Sequence, residues 1–426
     1  MSQPRVLITG VGAVSPLGTR SRTHFEAWMD GRSAVRLALA PDFESPTPQM
    51  EARVDGFERS ALIANRMLRK LLSPSAGYAV GAAGEAIADA GLKGAPALEG
   101  CGLYVGSLSL EIDPDVFVPP LRASLTPTNA FDISLFAKRG MKLLDPLFLV
   151  RALPNAGTCG ISVEHQVLGP NTNLTNGYTS GLMAVGLAMA AIQRGEADCA
   201  VAGGYDTLLG MDSLAEHLIA GRLSTLYEDP AHACRPFDRS RGGYVLGEGA
   251  AFVMLESDAH ARARGARAYA ELLSYAATTD VALLQRDRGR DSTALRYATA
   301  RALDIAACAP AEVGAIFGDG LAIELDDLRE ADAVRGLWPD AAPPFTAATS
   351  GTGFTGAASG VFSLVHAAMG MEQQVVPALA NCADPDPHCA LYFLERPERR
   401  SYRRSVVWTS DRGVKNAALV VGAASS

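Results

Sequence analysis

The sequence predicts an α/β chain whose strands are covered on both faces. Short apolar runs recur at residues 102–105, 199–202, 250–255, 315–317, 405–408 and 417–421 with little polar alternation, the pattern of buried strands. Ala-rich stretches at 75–90, 182–194, 292–307 and 357–369 lie between them and read as helices, so strands and helices alternate. A third observation is an internal echo. Residues 173–177 lead through Tyr178, Thr179, Ser180 and Gly181 into one Ala-rich helix, and residues 345–350 lead through GTGFTG into another. Both read as strand, glycine turn, helix, which suggests two related halves, 1–256 and 257–426.

Composition narrows the function classes. Hydrophobic residues make up 48% of the 426 residues and aromatics 7%, so the core is built from small aliphatic side chains that allow close helix-on-sheet contact. Lys plus Arg is 38 and Asp plus Glu is 46, a net charge of −8. No basic stripe points to nucleic acid. The Arg-rich stretch 396–404 is broken by Glu398 and Tyr402 and reads as a solvated loop and strand edge. Seven scattered cysteines give no disulfide framework, and Cys382, His388 and Cys389 fit no zinc spacing. No signal segment and no apolar run of about 18 residues is expected to reach a membrane, so the expected setting is the cytoplasm, with no cofactor and no metal.

Two segments invite a nucleotide reading: TGVGAVSPLG at 9–18, and GTGFTG at 351–356, which fits G-x-G-x-x-G. The first has the wrong glycine spacing, and after the second too little chain remains for a dinucleotide domain. A short-chain reductase would need Lys four residues after Tyr, a spacing no Tyr here has. The glycines read instead as tight strand-to-helix turns.

The turn around Tyr178 is chemically pointed. A side chain set at a helix N-terminus after a strand suits a nucleophile, because the helix end stabilises developing negative charge. Tyrosine, with an ordinary pKa near 10, is a poor nucleophile at neutral pH. The plainer reading is that Tyr178 fills a pocket.

Several segments together resemble β-ketoacyl synthases. The opening 6–18 resembles their first strand and turn. GPNTNLTNGYTSG (169–181) resembles the nucleophile segment, DCAVAGGYD (198–206) the strand beyond it, RPFDRSRGGYVLGEGAAFVMLE (235–256) the most specific family stretch, and KNAALVV (415–421) the last strand. The resemblance implies a thiolase-like fold, two related βαβ-rich halves in a layered αβαβα core.

The departures from the family carry the functional expectation. Tyr178 stands at the position of the catalytic Cys. Asp319, within Phe317-Gly318-Asp319-Gly320-Leu321, stands at the first catalytic His, and no His in this chain precedes a Gly. Gly353 is aligned with the second His, with a slip of one residue left open. Ser410-Asp411-Arg412-Gly413-Val414 replaces the glycine-rich gating loop. Condensation needs a thiolate to hold the acyl chain and donors to polarise the extender. Tyr178 forms no thioester, Asp319 would add negative charge, and Gly353 has no side chain.

The resemblance then implies a chain-length factor of a type II polyketide synthase, paired as a heterodimer with a Cys-bearing ketosynthase and served by acyl carrier protein. Aromatic-polyketide members usually carry Gln at the nucleophile position, so Tyr178 tilts the expectation toward a polyene product. Expected tunnel residues are Phe117, Val118 and Leu214, although for any one of them plain core is the favoured reading. The alternative is an active, divergent thiolase-fold acyltransferase using Cys159 or Tyr178. Cys101 and Cys159 both sit beside glycines, and the nearest His is His165.

Overall fold

The structure, a computed structural model, describes residues 3–38, 49–108, 114–280 and 291–424. Ten strands form its frame: β1 Val6–Val14, β2 Gly102–Gly106, β3 Asn171–Leu174, β4 Cys199–Thr207, β5 Leu246–Ser257, β6 Ala270–Thr279, β7 Ala315–Gly318, β8 Phe345–Ala347, β9 Arg404–Asp411 and β10 Lys415–Gly422. They are ordered β8-β7-β9-β10-β6-β1-β5-β4-β2-β3, with two further short strands attached at β5.

The order contains the same five-strand pattern twice. β1 is antiparallel to β5, β5 antiparallel to β4, and β4, β2 and β3 run parallel. From the other side β6 is antiparallel to β10, β10 antiparallel to β9, and β9, β7 and β8 run parallel. The two sets meet where β1 pairs with β6, over only Val6 to Ile8. The echo read from two segments is thus a repeat of topology.

Helices complete the layers: α1 Ser21–Met29, α2 Pro74–Asp89, α3 Pro114–Arg122, α4 Ala156–His165, α5 Ser180–Gln193, α6 Met211–Ile219, α7 Thr293–Ile305, α8 Glu324–Leu337 and α9 Ser359–Gln373. The Ala-rich α5 and α9 lie between the two five-strand sets, where Leu182, Val185, Val361 and Val365 join Val6, Val253 and Val407 in one apolar cluster. α2 covers the outer face of the first set and α7 that of the second, each with its own cluster. Along β5, Ala251, Val253 and Leu255 face inward while Ala250, Phe252 and Met254 face α2. A period of two with both faces apolar is why the strands read as unbroken hydrophobic runs.

The opening glycines serve this packing. A Cβ on Gly10 or Gly12 would lie 2.1 or 2.0 Å from the carbonyl oxygens of Ala86 or Ala82 in α2. They let a helix backbone rest on β1, and no phosphate-binding turn is formed there. Among the described residues, no helix is long and apolar enough to cross a membrane.

Candidate functional site

Tyr178 sits between β3 and α5, two residues before the helix begins. The Ser180 hydroxyl ties the turn, donating to the Gly177 carbonyl at 2.6 Å and accepting from the Asn176 N–H at 2.7 Å. The phenol is therefore held at a helix entrance, as the sequence pattern required. It lines a cavity of about 730 Å³ together with Leu108, Leu208, Leu209, His217 and Arg412.

Three side chains close on Tyr178. The Phe354 ring stands edge-on to it at 4.7 Å between centroids. His217 Nε2 lies 3.2 Å from the phenol oxygen, and Arg412 Nη2 donates to that oxygen at 3.1 Å. Beyond His217, its Nδ1 is 2.6 Å from the Tyr244 hydroxyl, which also accepts from Arg222 Nε at 3.1 Å. Arg222 in turn pairs with Asp326, and Arg412 with Glu216. Burial, opposed by Arg412, raises the Tyr178 pKa, so the phenol keeps its proton. Burial lowers His217 to about 4 and leaves it neutral at pH 7.

Arg412 arrives from the five-residue segment 410–414. That segment turns β9 into β10, with Arg412 at φ 53° and Gly413 at φ 73°. The sequence marks the segment as a departure but gives no sign that its Arg reaches Tyr178, 234 residues away in the chain.

Gly353 and Phe354 divide what one position was expected to hold. Gly353 has φ 65°, and a Cβ there would meet Ala52 and the Val245 carbonyl at 2.9 Å. It is needed for backbone shape. The next residue points its ring at Tyr178 and lies 4.8 Å from Tyr244. Its backbone is pinned by Phe354 N–H to Val245 O and Gly247 N–H to Phe354 O, both 2.8 Å.

Asp319 is not among the residues lining the Tyr178 cavity. Its carboxylate accepts from the Ser410 N–H at 2.6 Å. Glu330 receives the Asp319 and Gly320 N–H groups at 3.0 and 2.8 Å and Trp408 Nε1 at 2.6 Å. Burial first, then the nearby Glu330, pushes the Asp319 carboxyl well above the carboxylate range. Through the Ser410 N–H the Asp319 side chain joins the end of β7 to β9.

The segment 235–256 is architectural here. Arg241 bridges Asp327 and Asp386, Phe237 N–H donates to Asp327 at 2.7 Å, and Tyr244 joins the aromatic group around Tyr178. Glu248 accepts from Val54 N–H at 3.0 Å, Tyr78 at 3.2 Å and Thr207 at 3.0 Å.

The other expected residues are spread out. Phe117, on α3, meets Phe148 edge-on at 5.3 Å and lines a second cavity of about 310 Å³. Ser73, Pro74, Arg151 and Ala152 line both cavities. Val118 is half-buried beside Phe117. Leu214, on α6, packs against the apolar cluster containing Tyr178. Cys159 is exposed on α4, while His165 on the same helix turns inward to Val80 O at 2.9 Å, and no hydrogen bond joins them. Cys101 is buried, and its hydrogen bond with Cys199, then burial, pushes its thiol up.

The structure thus holds a duplicated β-sheet fold with Tyr178 at a helix entrance, facing a hollow. The Beta-ketoacyl synthase N-terminal domain matches residues 3–261 and its C-terminal domain residues 269–383. The chain belongs to the β-ketoacyl synthase family. It is 31% identical over 408 residues to a Streptomyces rimosus protein described as oxytetracycline polyketide β-ketoacyl synthase 1, covering 95% of this chain and 93% of that one. To the 3-oxoacyl-[acyl-carrier-protein] synthase 2 of Staphylococcus aureus strain COL it is 28% identical, over 92% of this chain and 91% of that protein. Among solved structures, the ishigamide ketosynthase/chain length factor superposes with a TM-score of 0.85 at 25% identity, covering 100% of each chain. A β-ketoacyl synthase from Burkholderia phymatum STM815 gives 0.88 at 26%, covering 99% of this chain and 100% of that one. The fold is the thiolase fold of these ketosynthases.

Proposed function

We propose that this chain is a chain-length factor of a type II polyketide synthase, without condensing activity of its own. The observation that carries the proposal is the occupant of the nucleophile position. Tyr178 stands at the helix entrance as a protonated phenol engaged by His217 and Arg412, with Phe354 against its ring. A phenol offers no thiolate to hold an acyl chain as a readily exchanged thioester. We assign Phe354, rather than Gly353, as the counterpart of the second catalytic His, and Asp319 as that of the first. Neither is a cationic or neutral imidazole donor.

In the proposed heterodimer the partner's Cys thiolate holds the acyl group. The malonyl unit on acyl carrier protein loses CO₂, the resulting carbanion attacks the acyl carbonyl, and the thiolate leaves. This chain closes the far end of the tunnel. Phe117 at the smaller cavity, Val118 next to it in the chain, and Leu214 against the Tyr178 cluster are the proposed length-setting residues. Tyr178 in place of Gln favours a polyene over an aromatic product. The halves are proposed to divide at 256/257, at the last residue of β5.

Support for pairing lies at the surface. β3 ends the sheet order, and its outer edge has no partner strand among the described residues. Large apolar side chains are exposed nearby in sequence, Phe131, Ile133, Leu149 and Leu168 among them. Charged replacements Ile133→Lys and Leu149→Lys are expected to weaken pairing with a Cys-bearing ketosynthase about tenfold or more while the isolated chain keeps its melting temperature, measured by co-purification and titration. Exchanging Leu214 for Trp is expected to shorten the product of the pair, read by mass spectrometry. An unchanged length removes Leu214 from the tunnel.

A further inference from the structure

The turn between β9 and β10 closes on position 178 from two sides. Arg412 Nη2 donates to the phenol oxygen at 3.1 Å, while the residue before it turns toward the backbone at the helix entrance. A Cβ placed on Gly177 would lie 2.0 Å from Asp411 Oδ2 and 3.0 Å from its carboxyl carbon. Glycine, here at φ 71°, leaves room for that carboxylate. Gly177, Tyr178 and Asp411 line the same hollow.

The turn holds Asp411 in place. Asp411 ends β9 opposite Lys415 of β10, and its carbonyl accepts from the Val414 N–H at 2.8 Å. Just before it, the Ser410 N–H donates to Asp319 at 2.6 Å and the Ser410 hydroxyl accepts from the Gly413 N–H at 2.9 Å. Burial pushes the Asp411 carboxyl up, while Arg412, Lys415, Arg222 and the Tyr178 backbone N–H pull it the other way. The carboxylate is thus set against the Gly177–Tyr178 peptide.

That peptide is where acyl transfer makes its sharpest demand. An acyl group moving onto residue 178 passes through a tetrahedral intermediate, whose oxygen gathers negative charge beside the backbone N–H groups of the helix entrance. A carboxylate oxygen already there takes up the space and repels a second negative oxygen.

We infer that Asp411 is a built-in stopper: its carboxylate stands where the carbonyl oxygen of an acyl group on residue 178 would go, so a thiol restored at that position stays poor at acyl transfer. The inference rests on the proposed reading of Tyr178 as the occupant of the nucleophile position. It adds a second block, independent of the missing thiol.

The test uses the purified full chain as Tyr178→Cys and as Tyr178→Cys with Asp411→Ala, with melting curves to show that both are folded. Asp411→Ser, also short and uncharged, takes the place of Asp411→Ala if that combination does not fold. The acyl donor is the hexanoyl thioester of N-acetylcysteamine. The introduced thiol attacks its carbonyl carbon, the new C–S bond replaces the old one, and N-acetylcysteamine leaves with the proton as a free thiol. Mass spectrometry maps the adduct. Iodoacetamide alkylates the same thiol without building charge on an oxygen beside that peptide, so it corrects for changes in access and thiol reactivity. The ratio of acylation rate to alkylation rate is expected to rise about tenfold or more when Asp411 is removed. An unchanged ratio, or no acylation of the double variant, overturns the inference. Neither result touches the proposed function, which fails instead if the unsubstituted chain alone condenses malonyl units.

Discussion

Phe354 and Arg412 change the reading of this site more than any other residues. Tyr178 is legible in the sequence because a strand, a glycine turn and a helix frame it locally. Phe354 is one position from the residue that alignment favours, and only the φ of 65° at Gly353 separates backbone role from side-chain role. Arg412 is illegible, since its contact with Tyr178 depends on how the β9–β10 turn lies across the fold. Phe354→Ala removes the ring that meets both Tyr178 and Tyr244. It is expected to cost about 3–5 kcal/mol in urea unfolding.

A second residue-scale prediction concerns pH. His24 and His366 are fully buried, with their Nε2 atoms 2.6 Å apart and His366 stacked on Trp28 at 3.6 Å. Burial lowers His24 from 6.5 to about 3, and burial together with His24 holds His366 well down. Above 6.5 both are neutral whether folded or unfolded, and their titration adds nothing. Between 6.5 and about 3 the unfolded chain takes up protons that the folded chain refuses, so stability falls as pH falls. The urea midpoint is expected to drop through that window, with a shallower slope in His366→Phe. An unchanged slope in the variant contradicts the assignment.

At the scale of elements, strands and helices are legible because their burial is periodic and local. β5 alternates between two apolar clusters, and α5 and α9 are Ala-rich because sheets cover them on opposite sides. The glycines of the opening strand are legible as glycines but not by purpose, since a phosphate turn and a close helix contact use the same residue. Their purpose is testable. Gly12→Ala drives a Cβ to 2.0 Å from Ala82 O, whereas a Cβ at Gly100 has no atom within 4 Å. Gly12→Ala is expected to lose about 2–3 kcal/mol in chemical unfolding and Gly100→Ala less than about 0.5 kcal/mol. Equal losses would show that α2 does not rest on β1 as described.

At the scale of the whole molecule, the repeat of five strands was only hinted at by one pair of similar segments, because strand order is a long-range property. In the proposed reading, the layered frame surrounds a reaction centre whose three positions hold Tyr178, Asp319 and Phe354. Among the described residues, the same frame leaves β3 at the end of the sheet order and a hollow beside the phenol. The most direct measurement is malonyl condensation by the isolated chain and by the chain with a Cys-bearing ketosynthase, with adducts of a Cys-directed acylating inhibitor mapped on both subunits. The account predicts no product and no adduct from this chain alone, and product from the pair with the adduct on the partner's Cys. Condensation by the isolated chain, or an acyl adduct on its Cys159 or Tyr178, would contradict it.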